Sequence, residues 1–221
     1  MKLSPETLRV LRNFAAINPS ILVKPGQQLS TISPKGRSVL ARAAVPDTFE
    51  NEFAIYDLNR FLGALSLLDD PQLVIGARAL MATSEGRTLS YALAEPSMIV
   101  VPPNREIAMP ETFVEVDMPD AVFKAASSAL RVLGLPEVAF VGRDGGVFLE
   151  AVDSKGVSND VYALRVASRP EGKRFSAVFK IDNLKLLPGD YAVTLTAKGI
   201  AKFTGPSAEY FVSVEKSSVF Q

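Results

Sequence analysis

Glu52-Phe53-Ala54-Ile55-Tyr56-Asp57-Leu58-Asn59-Arg60-Phe61-Leu62 decides how this chain is read. It is a short apolar strand, Glu52 to Tyr56, running directly into a short helix that begins at Asp57. The same order returns in Phe175 to Lys180, followed by Asp182-Asn183-Leu184-Lys185-Leu186-Leu187. With Asp57 set against Asp182, Arg60 falls on Lys185 and Leu62 on Leu187, about 125 residues apart.

Working outward, the rest of each half repeats as well. A helix opens the first half: Ser4 is a good N-cap, Pro5 takes the first helical position, and Asn18-Pro19 stops a pattern that reaches Ile17. In the second half Asp117 reads as the cap of a helix over Met118 to Leu133, which Gly134 ends. A hairpin follows each helix. Gln28 to Ser33 and Arg37 to Ala43 flank Pro34-Lys35-Gly36, while Val138 to Val141 and Val147 to Val152 flank Arg143-Asp144-Gly145-Gly146. A second hairpin closes each half. Its first copy is Ala79 to Thr83 with Thr88 to Leu93, flanking Ser84-Glu85-Gly86-Arg87. Its second is Tyr191 to Ala197 with Glu209 to Val214, joined by a longer irregular link through Gly199 and Gly205-Pro206. The expected fold class is therefore α+β, with two similar domains, each carrying two helices packed on antiparallel sheets. The domains are expected at 1–95 and 112–221. The stretch 96–111, with Pro96, Pro102, Pro103 and Pro110, is a stiff connector unfit for a central sheet.

Composition narrows the function. The 221 residues are 48% hydrophobic and 22% charged, enough for a core without staples. There is no cysteine and no histidine, so disulfides, thiolate chemistry, the commonest general base and the usual zinc ligands are excluded. Walker-type and dinucleotide-binding glycine patterns are absent, and neither a cofactor nor a metal is expected. Asp69-Asp70 and Asp144 could suggest carboxylate chemistry, but turn chemistry accounts for both. No apolar run is long enough for a membrane span or a signal segment, so a soluble intracellular protein is expected. Lys+Arg and Asp+Glu both number 24, so any contact with nucleic acid has to be local and weak.

The helix faces hold the candidate residues. On the first helix Leu8, Val10, Leu11, Phe14 and Ile17 gather on one side and Arg9, Arg12 and Asn13 on the other. On the long helix of the second half Val122, Ala126, Leu130 and Leu133 oppose Lys124, Ser127, Ser128 and Arg131. The acids Glu6, Asp117 and Asp120 stay in the first turns, where the helix dipole favours them, and leave the remaining polar faces cationic. A polar face alone needs no function, because every amphipathic helix has one. The connector run Met98-Ile99-Val100-Val101-Pro102-Pro103 either packs on the core or borders a groove for a partner's peptide.

Several of these segments resemble the sliding clamps of T-even-type bacteriophages. Met1-Lys2-Leu3-Ser4, Asn13-Phe14-Ala15 and Ile17-Asn18 look like the start of that family. Ala54-Ile55-Tyr56-Asp57-Leu58-Asn59 with Phe61-Leu62-Gly63 is the most specific stretch. Val100-Val101, Pro103-Asn104, Pro188-Gly189-Asp190-Tyr191, Ala197-Lys198-Gly199 and Ala201-Lys202-Phe203 agree in register. Gln72 to Leu93 and Lys155 to Lys173 depart most.

The resemblance implies a non-enzymatic DNA polymerase processivity factor, a homotrimeric ring that encircles duplex DNA without reading its sequence. It implies bases at Lys2, Arg12, Arg131 and Lys185 facing the DNA. Helix geometry adds Arg9, Arg60 and Lys124. As partners it implies the replicative polymerase, whose C-terminal peptide would dock near Ile99, Val100 and Pro102, an ATP-driven clamp loader, and late-transcription factors. The implied location is the cytoplasm of an infected bacterium. A β-rich oligomeric virion protein is the alternative from a different class, and a hydrolase using carboxylates alone is a second.

Overall fold

The computed structural model describes residues 1–104, 107–143, 145–168 and 173–221. Arg105, Glu106, Asp144 and residues 169–172 lie outside the described residues, and with them the expected role of Asp144 in its hairpin turn. The chain divides into two compact units, Met1–Arg105 and Glu106–Gln221.

The first unit opens with α1 (Pro5–Ile17), whose start is fixed by the Ser4 side chain accepting a hydrogen bond from the Thr7 amide. Its end is fixed by Asn18. The buried Asn18 side-chain amide donates to the Ile32 and Val100 carbonyls, and its oxygen accepts from the Ser20 amide and hydroxyl. Four partners satisfy one buried amide and tie the helix end to a strand and to the connector. There follow β1 (Ile21–Val23), β2 (Gly26–Ile32), β3 (Val39–Phe49), β4 (Phe53–Ile55), α2 (Leu58–Leu65), β5 (Gln72–Ile75), β6 (Ala79–Ser84) and β7 (Arg87–Ala92). β1 pairs with β4, β2 with β3, and β5, β6 and β7 form an antiparallel sheet. The β6–β7 turn holds Glu85 and Gly86 at φ 43° and 79°, the left-handed pair that a two-residue hairpin loop demands. α1 packs on β2, β3 and α2.

The second unit contains β8 (Thr112–Met118), α3 (Asp120–Leu133), β9 (Glu137–Arg143), β10 (Gly146–Val152), β11 (Tyr162–Ser168), β12 (Phe175–Lys180), β13 (Tyr191–Thr196), β14 (Ile200–Thr204), β15 (Glu209–Ser213) and β16 (Val219–Phe220). One sheet runs β11-β10-β9-β12-β16, and in the other β8, β13, β14 and β15 are successive neighbours. Phe203 of β14 meets Phe140 of β9 and Phe179 of β12 at centroid distances of 6.3 and 5.7 Å, so the two inner faces share one aromatic core. α3 packs on β9, β10 and β11.

Three sequence expectations change here. Asp117 is not a helix cap: Val114, Val116 and Met118 alternate inward as β8, pairing with β13, and the helix starts two residues later behind Pro119. The irregular link through Gly199 and Gly205 contains a strand, β14, so the closing hairpin is a three-stranded meander. The short helix expected over Asp182 to Leu187 is a single 3-10 turn, Ile181–Asn183. Two tyrosines explain the last change. The Leu187 amide donates to the Tyr210 hydroxyl at 3.1 Å, and the Tyr191 hydroxyl donates to the Leu187 carbonyl at 2.8 Å. With both backbone groups of Leu187 taken, and Pro188 disfavouring helical geometry just before it, the helix has nothing to propagate into.

Candidate nucleic-acid interface

Burial of the apolar stripe decides where each base points. Leu11 and Phe14 of α1 are buried, which turns Arg9 and Arg12 outward into solvent. Phe61, Leu62 and Leu65 of α2 are buried and Arg60 is exposed, its amide held by the Asp57 carboxylate at 2.9 Å. On α3, Ala126 and Leu130 are buried, Val122 is half-buried, and Leu133 remains 39% exposed, so the stripe is narrower than its sequence pattern. Lys124 and Arg131 lie on the exposed face. Lys185 follows the 3-10 turn and is half-buried, and Lys2 is exposed just ahead of α1.

Each unit holds a groove with an apolar floor and a basic rim. In the first unit a cleft of about 360 Å³ lies between α1 and α2, with Leu8, Leu62 and Leu65 as floor and Arg12 and Asp70 on its walls. In the second a groove of about 280 Å³ lies between α3 and the 3-10 turn, lined by Ser127, Leu130 and Leu184, with Arg131 and Lys185 together. Arg131 and Lys185 are thus brought to one place from sequence positions 54 residues apart.

The bases differ in their company. Lys2 pairs with Asp70, Lys124 with Asp120 one turn earlier, and Lys185 with Asp182 at 3.5 Å. Arg131 donates to the Ser128 hydroxyl at 3.2 Å. Neither Arg12 nor Arg131 meets a carboxylate among the described residues. Hydrogen bonding from Lys124, with a further bond from the Gly189 amide, holds the Asp120 carboxyl below its usual range against some desolvation. The Asp120 amide in turn donates to Asp190 at 2.8 Å, so a carboxylate from ahead of β13 caps α3. Burial pushes the Tyr91 phenol up, Asp57 adds to this, and Arg60 opposes it. Sequence reading gave Asp120 a first-turn place, Asp69-Asp70 a turn and Asp182 a helix start, but paired none of these acids with a base. The spacings Asp120 to Lys124 and Asp182 to Lys185 were available as local signals, whereas Lys2 and Asp70 are 68 residues apart.

In the connector, Ile99 is buried at 7% exposure, so it packs on the core and offers no surface to a peptide. Val100 is exposed. Pro102 lines a groove of about 220 Å³ with Lys24, Arg42 and Pro103, and Lys24 donates to Asn104 at 2.7 Å. Asp70 sits in a turn at φ 46° and Asp69 faces Arg87 at 3.8 Å. Among the described residues no three potential metal ligands come together, and no helix is long and apolar enough to cross a membrane.

Two α+β units in one chain, each with an amphipathic helix whose outer face carries bases, give the fold of a DNA clamp. Solved clamps share this fold. A. fulgidus PCNA, in a structure with the C-terminal region of FEN-1, superposes with a TM-score of 0.71 at 16% identity, covering 96% of both chains. The Pseudomonas aeruginosa DNA polymerase sliding clamp superposes with a TM-score of 0.65 at 12% identity, covering 96% of this chain and 63% of that one. Residues 4–90 match the family model of the DNA polymerase processivity factor, and residues 120–216 that of the gp45 sliding clamp, C terminal. The sliding clamp of Enterobacteria phage T4 is 31% identical over 99% of this chain and 98% of its own length. That of Vibrio phage KVP40 is 30% identical over 97% and 99%. The chain belongs to the sliding clamp family of these phages. Nothing in these comparisons supports a virion structural protein.

Proposed function

We propose that three copies of this chain close into a ring around duplex DNA and tether the replicative polymerase to its template. The tether acts by raising the polymerase's effective concentration at the primer end, and no covalent step is assigned to the clamp. The observation that carries the reading is the exposed basic face on each unit's helices, in a chain that aligns end to end with phage sliding clamps. Lys2, Arg9, Arg12, Arg60, Lys124, Arg131 and Lys185 face the phosphates, which fix no register and read no base. Zero net charge suits a ring that must slide, since the bases act locally and acids elsewhere balance them.

An ATP-driven loader opens the ring, and the ATP site belongs to the loader. The polymerase's C-terminal peptide docks beside the connector at Val100 and Pro102, and late-transcription factors use the same clamp in the host cytoplasm. The ring is tested by light scattering coupled to size exclusion over a range of concentrations. The expected species is about 71 kDa, three chains of 23.8 kDa each. A monomer at every concentration, in the presence of loader and DNA as well, would remove the topological mechanism.

A further inference from the structure

The candidate lysines share one circumstance. All three lysines, Lys2, Lys124 and Lys185, are engaged by an acid of their own unit, while Arg12 and Arg131 meet no carboxylate among the described residues. We propose that Asp70, Asp120 and Asp182 are attenuators: they hold the lysines of the DNA-facing surface in internal ion pairs and so keep the clamp's grip on phosphate weak enough to slide. The proposal rests on the DNA-facing reading of these helices.

The physical argument is one of anion exchange. A lysine without a partner gains a phosphate and releases a condensed counterion from the DNA. A lysine held by aspartate has to give up one anion to take another, so its net gain is small and its phosphate contact is shallow. The placement fits that role. Asp70 shares the α1–α2 cleft with Arg12, so it stands on the basic face itself. Asp182 belongs to the 3-10 turn that walls the groove of Arg131 and Lys185. Asp120 also accepts the Gly189 amide, which gives it a structural duty besides. Among the described residues Asp70 and Asp182 take no second bond of this kind: Asp70 is exposed on the turn and the Asp182 side chain is 88% exposed. These two therefore report on attenuation most cleanly. All three act through their lysines and are positioning residues.

The test is the affinity of the full-length protein for a short labelled duplex, measured by fluorescence anisotropy over a salt series. Asp70→Asn with Asp182→Asn is compared with Glu209→Gln plus Glu115→Gln. The control makes the same change in net charge at acids of β15 and β8, the first of which pairs with Lys202 of β14. Asparagine tolerates the left-handed backbone at position 70. The expected result is binding roughly fivefold or more tighter for the aspartate pair, with a steeper dependence of log affinity on log salt, and little change for the control. Asp70→Glu with Asp182→Glu should restore the weaker affinity. Aspartate variants that track the control in affinity and slope overturn the proposal. Arg12→Ala with Arg131→Ala, run alongside, separates the two levels. If that pair weakens binding while the aspartate pair tracks the control, only the attenuators fail. If it leaves binding unchanged, the DNA-facing reading fails and the attenuators with it.

Discussion

The two units build a basic-rimmed groove from different local structure. In the first, α1 and α2 are both true helices, and α2 runs eight residues on the buried stripe of Leu58, Phe61, Leu62 and Leu65, with no proline to stop it. In the second, α3 faces a single 3-10 turn, because Tyr191 and Tyr210 have claimed the backbone of Leu187. The helix starts differ in the same way. α1 is capped by its neighbour Ser4, whereas α3 is capped by Asp190, which is 70 residues away. The difference teaches that the outward base, rather than the helix behind it, is what the two units have in common. Arg12 and Arg131 end up exposed beside a leucine-floored groove in both.

The largest expected effect tests that shared feature. Arg12→Glu and Arg131→Glu together should cut processive synthesis on a primed circular template about tenfold or more, since the proposed ring of three copies then opposes phosphates at six positions. Both side chains are exposed, so circular dichroism and melting should be unchanged. Made singly, the two reversals should cost similar amounts; a loss confined to one unit would break the equivalence.

The next effect sharpens the contrast behind the grooves. Tyr210→Phe or Tyr191→Phe leaves one buried backbone group of Leu187 without its partner, at a cost of about 1–3 kcal/mol by urea denaturation. Unchanged stability in both would mean that the tyrosines do not hold the 3-10 segment. A smaller effect compares the caps. Ser4→Ala and Asp190→Ala should each cost about 1 kcal/mol, despite one cap being local and the other distant.

The smallest effect is one of pH. Hydrogen bonding from Lys124 lowers the Asp120 carboxyl from its ordinary value in the folded chain, so as pH falls the unfolded chain takes up its proton first. The contribution is full above that ordinary value and is lost as pH drops through the lower folded one. In melts between neutral and acid pH, Asp120→Asn should flatten the acid-side loss slightly, and an identical profile would deny the bond a role.

Much of this was legible in the sequence because it is written locally. Ser4-Pro5, Asn18-Pro19, Glu85-Gly86 and Gly134 each mark a boundary with one or two residues, and the structure ends its elements there. What was not legible depends on partners far along the chain. Asp117 ahead of an apolar run has the look of a cap, but its pairing with Ala192 makes it a strand residue. β14 is five residues between glycines, too short to declare itself without β13 and β15 on either side. The 3-10 turn needed Tyr210, and the Lys2 pair needed Asp70. For the candidate site, helix periodicity put Arg9, Arg12, Lys124 and Arg131 on the solvent side, where they are exposed. It left the acids unpaired with those bases: Asp120–Lys124 and Asp182–Lys185 have helical spacings that went unused, whereas Lys2–Asp70 spans 68 residues and has no sequence period.

Topology is the central claim, and retention on DNA tests it most directly. Labelled clamp is loaded by its loader and ATP onto nicked circular duplex, isolated by gel filtration, and followed after a single restriction cut. The account predicts that the clamp stays with the circle and runs off the linear product. Equal retention on both forms would contradict it, and would make this a protein that holds DNA by contact instead of by enclosure.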